Sequence, residues 1–256
     1  MASPPAARGP WPCGGEDGAV GVIGSRDELE RNLAIVRRGI LAASERSGRD
    51  PSEIRLVAAA KAVPPDVVRW AVEAGVTDVG ENYVNELAAK RDQVHGATWH
   101  FVGVLQSHTA HRVAEHADVV HTVASPRALA RLDGRAERNG RRLPVLIEVD
   151  FAGRGTGAPP EDVPELAERA RSLVGVDLRG MMTIPPLTAN PEDARPYFRQ
   201  LRELRDAVAG GMGAARDLPE LSMGMSADYE VAVEEGATMV RIGTALFGER
   251  PSPGAD

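Results

Sequence analysis

Lysine is rare in this chain of 256 residues, which has only Lys61 and Lys90 and takes its other cationic side chains from arginine. Lys61 directly follows the apolar run 56–60, which is typical of a strand buried on both faces of a parallel sheet. A lysine removed from water can lose its proton and attack a carbonyl carbon, which arginine cannot do. The alternative is that Lys61 extends from the strand end into solvent. Lys90 lies in a predicted helix, 84–94, away from the strand ends.

A second group of polar residues follows the last two apolar runs of the chain. Ser226 follows the run 221–225 and is predicted to cap a helix over 227–235, while Gly243 and Thr244 follow the run 238–242. Hydroxyl groups, helix N-terminal amides and a glycine that permits close backbone approach are common ligands of phosphate. Each residue alone could be a simple cap or turn, but the two loops together favour a phosphate site.

Arg241 lies inside the apolar run 238–242. A buried guanidinium needs a partner, because leaving its charge unpaired away from water is costly. One interpretation is an ion pair with a core carboxylate such as Glu148, and the other is a contact with a ligand. The sequence favours neither.

These residues are positioned by an alternation of strands and helices. The predicted strands span 56–60, 76–80, 98–103, 118–123, 144–149, 178–184, 221–225 and 238–242. Eight strands separated by helices predict a single (β/α)8 TIM barrel, with an extra N-terminal helix that opens at Ser25 and ends near Gly48. A doubly wound α/β sheet is the alternative, but its first strand would normally be followed by a glycine fingerprint, which is absent after Lys61. In a barrel, chemistry lies at the carboxyl ends of the strands.

The barrel is expected to occupy residues 25–250. Residues 1–24 are rich in Pro, Gly and Ala and are predicted to be a disordered extension, and 251–256 form a C-terminal tail. No signal peptide or membrane-length apolar run is visible, so we expect a cytoplasmic protein without membrane contacts.

Composition excludes several classes of site. A net charge of -7 argues against a nucleic-acid surface, and the single cysteine, Cys13, excludes a disulfide framework or a thiolate metal site. His108, His111 and His116 share one helical segment without a matching carboxylate, so we interpret them as a solvated helix face and expect no metal.

A closed barrel makes strand one a neighbour of strand eight, so Lys61 and the two phosphate-binding loops are expected to face one ligand. A molecule that carries both an aldehyde and a phosphate would satisfy them. Pyridoxal 5′-phosphate is such a molecule, and lysine holds it as a Schiff base.

The segments 57–61, 80–86, 99–107, 181–185, 221–226 and 240–248 resemble the YggS/PROSC family of pyridoxal phosphate homeostasis proteins. The resemblance covers about residues 25–250 and implies a barrel similar to the N-terminal domain of bacterial alanine racemase. It also implies a cofactor, pyridoxal 5′-phosphate, that is bound to Lys61 with its phosphate near Ser226, Gly243 and Thr244. Asn82 and Arg241 would lie near the cofactor.

Two segments depart from the family pattern. Ala60 and Ala62 flank the lysine where relatives usually carry Ser or Thr. The loop after strand five usually carries Lys-x-Gly, and here residues 153–157 leave any such basic role to Arg154. We interpret this loop as flexible.

The resemblance implies a carrier or buffer of the cofactor without significant turnover, with apo-enzymes as recipients, and we expect a monomer. The rival function is an amino-acid racemase, which needs a second acid or base on the opposite face of the cofactor. In alanine racemases that group is a tyrosine from the C-terminal domain of a partner subunit, which we expect to be absent here. Tyr83 could approach the ring, although packing in the barrel wall is the simpler expectation. A third hypothesis is another phosphorylated metabolite, with Lys61 serving only as an ion-pair donor.

Overall fold

The computed structural model describes residues 23–210 and 217–249, and their eight parallel strands close into one barrel. Neighbours in sequence are neighbours in the barrel, and β1 closes the ring by pairing with β8. The strands are β1 Arg55–Ala59, β2 Asp78–Glu81, β3 Thr98–Phe101, β4 Val119–Val123, β5 Leu143–Glu148, β6 Val176–Met182, β7 Glu220–Ser222 and β8 Met239–Ile242. The predicted barrel is therefore confirmed.

Helices follow each strand and surround the barrel. They are α1 Arg26–Ser47, α2 Pro65–Glu73, α3 Val84–Arg91, α4 Ala110–His116, α5 Pro126–Arg138, α6 Val163–Arg171, α7 Arg195–Val208, α8 Tyr229–Glu234 and α9 Thr244–Phe247. Short 3₁₀ turns lie at Pro51–Glu53, Pro160–Asp162 and Pro191–Ala194. None of the described helices is both long and apolar enough to cross a membrane.

The extra helix α1 has the ends that its sequence predicts. The Ser25 hydroxyl accepts a hydrogen bond from the Glu28 amide at 3.2 Å, as an N-cap does. At the other end Gly48 adopts φ 68°, the left-handed conformation that ends many helices. Its apolar stripe, which includes Leu29 and Leu33, is buried against the barrel.

Alternation along the strands divides the buried residues into two cores. Val57, Leu146, Met182 and Met239 form a small cluster inside the barrel, whereas the residues of opposite parity pack between the strands and the helices. Inward-facing positions on β1 and β8 can therefore be assigned by counting in steps of two, whereas register shifts interrupt the alternation on β4, β5 and β6. This parity decides which side chains reach the mouth of the barrel.

Several element boundaries differ from the prediction, and most residues of the two predicted terminal segments are not described by the structure. Most of the predicted extension 1–24 and all of the tail 251–256 lie outside the described residues. Ile23, within that extension, is buried, and its amide donates to the Phe247 carbonyl at 3.0 Å. The helix predicted over 227–235 begins only at Tyr229, because residues 226–228 form a turn.

Candidate functional site

Lys61 lies two residues beyond the end of β1, at the carboxyl-terminal mouth of the barrel. It has the parity of Val57, which belongs to the inner cluster, so alternation assigns Lys61 to the inner face. Its side chain is partly exposed, and within 23–210 and 217–249 it has no hydrogen-bond or ion-pair partner. Lys61 is thus available to a ligand at the mouth.

The second lysine lies beside the first, contrary to the prediction that it is remote from the strand ends. Lys90 is 1% exposed, and its Nζ donates to the Ala60 carbonyl at 2.8 Å and to Glu81 at 2.5 Å. It also donates to Glu86 Oε2 at 3.0 Å. Burial raises the pKa of Glu81 to about 7, against the opposing attraction of Lys90.

The loops after β7 and β8 meet, as the sequence predicts. The Ser226 hydroxyl accepts a hydrogen bond from the Ala245 amide at 3.1 Å, in the first turn of α9. Ser226 is therefore not the N-cap of α8, which starts after Asp228, and that prediction is wrong. Gly243 is buried and Thr244 is exposed, so a hydroxyl and backbone amides of both loops lie together at the mouth.

A glycine makes the β7 loop possible. Gly224 has φ 89°, and a Cβ atom there would lie 2.5 Å from the Cβ of Ala232. The Gly224 carbonyl accepts from the Arg241 amide at 2.9 Å, which fastens this loop to β8. The turn that presents Ser226 thus depends on a residue without a side chain.

Arg241 is buried on the inner face of β8, and Glu148, one of its two predicted partners, is not its hydrogen-bond acceptor within the described protein. Its guanidinium donates to Ser222 Oγ at 2.6 Å and to the Thr183 carbonyl at 2.9 Å. Burial lowers the pKa of Arg241 to about 10, opposed by the charges of Asp228 and Glu148, so it stays cationic near neutral pH. Two of its five N–H donors are accounted for by these two bonds.

A chain of polar side chains that the sequence analysis missed continues from Arg241 through the barrel. Ser222 Oγ lies 2.9 Å from His121 Nδ1, and His121 Nε2 lies 2.8 Å from His100 Nδ1. His100 Nε2 lies 2.8 Å from Asp78 Oδ1. We call these five residues the barrel relay. The signal was present, since each histidine is flanked by apolar strand residues in the way that singled out Arg241.

Asn82 borders a cavity of about 280 Å³ at the mouth. The register of β1 with β2 pairs Ala59 with Gly80, and two further residues along bring Lys61 level with Asn82. Thr122 lines the same cavity, and its buried hydroxyl has no hydrogen-bond partner among the residues that the structure describes. An unpartnered polar atom beside a cavity fits a ligand site.

The loop after β5, which is predicted to be flexible, is held by hydrogen bonds to Asp150, two residues beyond the end of the strand. The Asp150 carboxylate accepts hydrogen bonds from the amides of Ala152 at 3.0 Å and Gly155 at 2.6 Å. Arg154 is exposed and lines the cavity together with Glu148. Burial raises the pKa of Glu148, although a hydrogen bond from Thr156 at 3.0 Å favours its charged form.

The structure thus places the predicted residues in two groups at the carboxyl-terminal mouth of the barrel. Ser226, Gly243 and Thr244 share the β7–β8 side, and Arg241 lies on the inner face of β8 next to β1. Asn82 and Lys61 lie on the β1–β2 side. Tyr83 is expected from the sequence to pack in the barrel wall, but it is 55% exposed. No group of three or more metal-binding side chains occurs in the part of the chain described.

Comparison with known proteins identifies the family to which this chain belongs. The chain matches the family described as alanine racemase, N-terminal domain, over residues 26–251. The pyridoxal phosphate homeostasis protein of Aquifex aeolicus is 44% identical over 222 residues, which cover 85% of this chain and 96% of that protein. The chain belongs to the pyridoxal phosphate homeostasis protein family. The Escherichia coli K12 member of this family is 39% identical over 234 residues, which cover 88% of this chain and 97% of that protein.

Solved structures agree with the family assignment. PipY of Synechococcus elongatus PCC7942, whose structure has PLP bound, is 34% identical with a TM-score of 0.75, covering 86% of this chain and 100% of that chain. Alanine racemase of Clostridium difficile 630 is 18% identical with a TM-score of 0.67, covering 89% of this chain and 58% of that chain, and shares the fold. The resemblance to the homeostasis family and its barrel is therefore confirmed.

Proposed function

We propose that this protein binds pyridoxal 5′-phosphate as a Schiff base on Lys61 and acts in the cytoplasm as a monomeric carrier or buffer without significant turnover. Relatives at 34–44% identity named pyridoxal phosphate homeostasis protein support this, as does the PLP-bound structure of PipY. Apo-enzymes that need the cofactor are the proposed recipients.

The position of Lys61 carries the proposal. It lies just past β1, next to β8 in the closed barrel, and its side chain has no hydrogen-bond or ion-pair partner among the residues described. A phosphorylated aldehyde can contact Lys61 and the β7–β8 loops together. When bound, the cofactor would supply an aldehyde that condenses with a neutral amine and releases one water.

The other residues fit such a ligand. Ser226 and Thr244 offer hydroxyls and backbone amides to the phosphate, and Gly243 allows the backbone close approach. Arg241 is fixed on the inner face and can offer an N–H to a ring nitrogen. Asn82 borders the cavity on the Lys61 side.

The racemase hypothesis receives less support. A second acid or base must face the cofactor opposite Lys61. Tyr83, the tyrosine considered for this role, is more than half exposed to solvent.

An absorbance titration tests the proposal. Purified protein with pyridoxal phosphate should show a band near roughly 420 nm, which is a property of the protonated Schiff base. Borohydride reduction followed by peptide mapping should label Lys61 and not Lys90, whose Nζ is bonded to three acceptors.

Two substitutions separate a covalent role of Lys61 from a purely ionic one. Lys61→Ala should remove the band with the fold intact. Lys61→Arg keeps the positive charge but cannot form a Schiff base, so it should also remove the band. If the wild type carries no label on Lys61 and Lys61→Arg binds the ligand as tightly as the wild type, the covalent role is refuted and the ion-pair hypothesis is favoured; a label on Lys90 would place the Schiff base on the other lysine.

A further inference from the structure

Both peptide groups that flank Lys61 are bonded to one cluster of charged side chains. The Ala60 carbonyl accepts from Lys90 Nζ at 2.8 Å, and the Ala62 amide donates to Glu86 Oε2 at 3.1 Å. Lys90 Nζ donates to the same Glu86 oxygen at 3.0 Å. A bridge of hydrogen bonds therefore runs from Ala60 through Lys90 and Glu86 to Ala62 and spans Lys61.

Ala62 adopts an unfavourable backbone conformation. Its φ is 57°, and it is the one residue other than glycine with positive φ in the described ranges. A Cβ atom disfavours this left-handed region, so surrounding contacts must hold it there. Ala62 is exposed, so hydrogen bonds hold this conformation: the Val63 amide donates to the Ala60 carbonyl at 3.0 Å across the turn, and the Ala62 amide donates to Glu86 Oε2 at 3.1 Å.

Lys90 joins this bridge to a carboxyl group in the interior of the protein. Lys90 is 1% exposed and Glu81 is fully buried, and they are joined at 2.5 Å. Glu81 Oε2 also accepts from the Asn82 amide at 3.2 Å, which ties the cluster to β2. Because its Nζ donates to two carboxyl groups and a carbonyl, Lys90 is held in one position and supports the backbone beside Lys61.

We propose that Glu86 and Lys90 are positioning residues for Lys61. By holding Ala60 and the left-handed turn at Ala62, they set the direction in which the Lys61 side chain leaves the backbone at the barrel mouth. The inference rests on the proposed function of Lys61 as the residue that binds pyridoxal phosphate. It assigns no contact with the ligand to either positioning residue.

A matched pair of substitutions separates the hydrogen bond from the charge. Glu86→Gln keeps one oxygen that can accept from both Ala62 and Lys90, whereas Glu86→Ala removes the acceptor on a helix where alanine is well tolerated. Glu86→Ala should weaken the affinity for pyridoxal phosphate about tenfold, and Glu86→Gln should change it less than about threefold. Thermal unfolding of each unliganded variant checks that the fold is kept, and Glu86→Leu replaces Glu86→Ala if the latter unfolds.

A double-mutant cycle with Ala62→Gly tests whether the contact acts through the strained turn. Glycine adopts positive φ readily, so removing the Glu86 acceptor should cost less than about threefold in that background. The circular dichroism of the roughly 420 nm band, measured per bound cofactor, should change in Glu86→Ala, because it reports how the ring is held. A residue that supported only folding would lower the unfolding temperature and leave this signal unchanged.

The outcomes distinguish this inference from the proposed function. If the wild-type protein shows no band on Lys61, the proposed function fails. If the wild type shows the band, the positioning role is overturned by wild-type affinity in Glu86→Ala, by equal losses in the Ala and Gln variants, or by an additive cycle.

Discussion

The imidazole rings of His100 and His121 meet nitrogen to nitrogen inside the barrel, with 2.8 Å between Nδ1 of the first and Nε2 of the second. One of the two nitrogens must donate and the other must accept, so the pair cannot be bonded in this way when both rings carry two protons. Burial holds the pKa of His121 well below its ordinary value, and the charges of His100 and Arg241 act in the same direction.

When both imidazole rings are neutral, each bond of the barrel relay has one possible direction. Arg241 can only donate, so Ser222 Oγ accepts from it and turns its own proton towards His121 Nδ1. His121 then donates from Nε2 to His100, which donates to the Asp78 carboxylate. All four hydrogen bonds then run in one direction, from the Arg241 guanidinium to the Asp78 carboxylate. This arrangement holds the guanidinium in one orientation.

Ser222→Ala should therefore destabilise the protein. The substitution leaves a buried guanidinium N–H and an imidazole nitrogen without their partner, which costs about 1–3 kcal/mol in the free energy of unfolding. Urea unfolding of the wild type and variant measures the difference. Ser172→Ala, at an exposed serine with only a local bond, is the matched control and should stay within about 0.5 kcal/mol. Equal effects of the two substitutions would contradict the relay.

The barrel was predictable because its signal is local, and the relay was harder because its contacts are not. Runs of apolar residues around Lys61 and Arg241 mark buried strands wherever they pack. His100 and His121 are 21 residues apart and meet only because β3 and β4 are neighbours with matching parity. A polar residue within an apolar strand shows that an inner partner is needed, but only the closed topology shows which one.

The same reasoning explains why the charged cluster behind Lys61 was missed. Lys90 lies in a helix of ordinary polar composition, and a helical lysine is normally solvated. Its burial follows from the packing of α3 against β2, which brings Glu81 and Lys90 together although they are nine residues apart in the sequence. The wrong N-cap at Ser226 has a similar origin, because its hydroxyl is taken by an amide of the next loop.

Glu81 should make stability depend on pH. Its pKa is raised from 4.5 to about 7 on folding, so the folded protein holds the proton more tightly than the unfolded chain. The stabilising contribution is complete below pH 4.5 and is lost as pH rises through 7. Each pKa unit is worth about 1.4 kcal/mol, so Glu81→Gln should remove a decline of about 3 kcal/mol.

Chemical denaturation at several pH values between 4 and 8 measures this decline as the difference between wild type and Glu81→Gln. Glu45→Gln, at an exposed position of α1, controls for the loss of one negative charge. If the two variants have parallel pH profiles, Glu81 does not titrate in this range.

Ser226→Ala and Thr244→Val should each weaken retention of pyridoxal phosphate about tenfold, because a hydrogen bond to a charged group contributes about 1.5–3 kcal/mol. Equilibrium dialysis measures the affinities, with Ser172→Ala as the control for a lost hydroxyl. Unphosphorylated pyridoxal should bind poorly and be insensitive to both changes. Equal binding of the two vitamers by the wild type would remove the phosphate site from the β7–β8 loops.

Turnover of free amino acids should be negligible. Lys61 would provide one base, and Tyr83, which is 55% exposed, is poorly placed to provide a second on the opposite face. Arg241 is held as a hydrogen-bond donor by the barrel relay, and a guanidinium facing a ring nitrogen leaves that nitrogen unprotonated. An unprotonated ring withdraws electrons less strongly, which disfavours proton removal from an amino acid.

Deuterium incorporation at the α-carbon of alanine and other amino acids in heavy water tests this expectation. The wild type should exchange no faster than Lys61→Ala. Glu148 lines the cavity with a raised pKa and is the other candidate for a second acid or base, so Glu148→Gln is measured beside Tyr83→Phe. Rapid exchange that requires Lys61 and falls in either variant would refute the carrier function and establish a racemase-like activity.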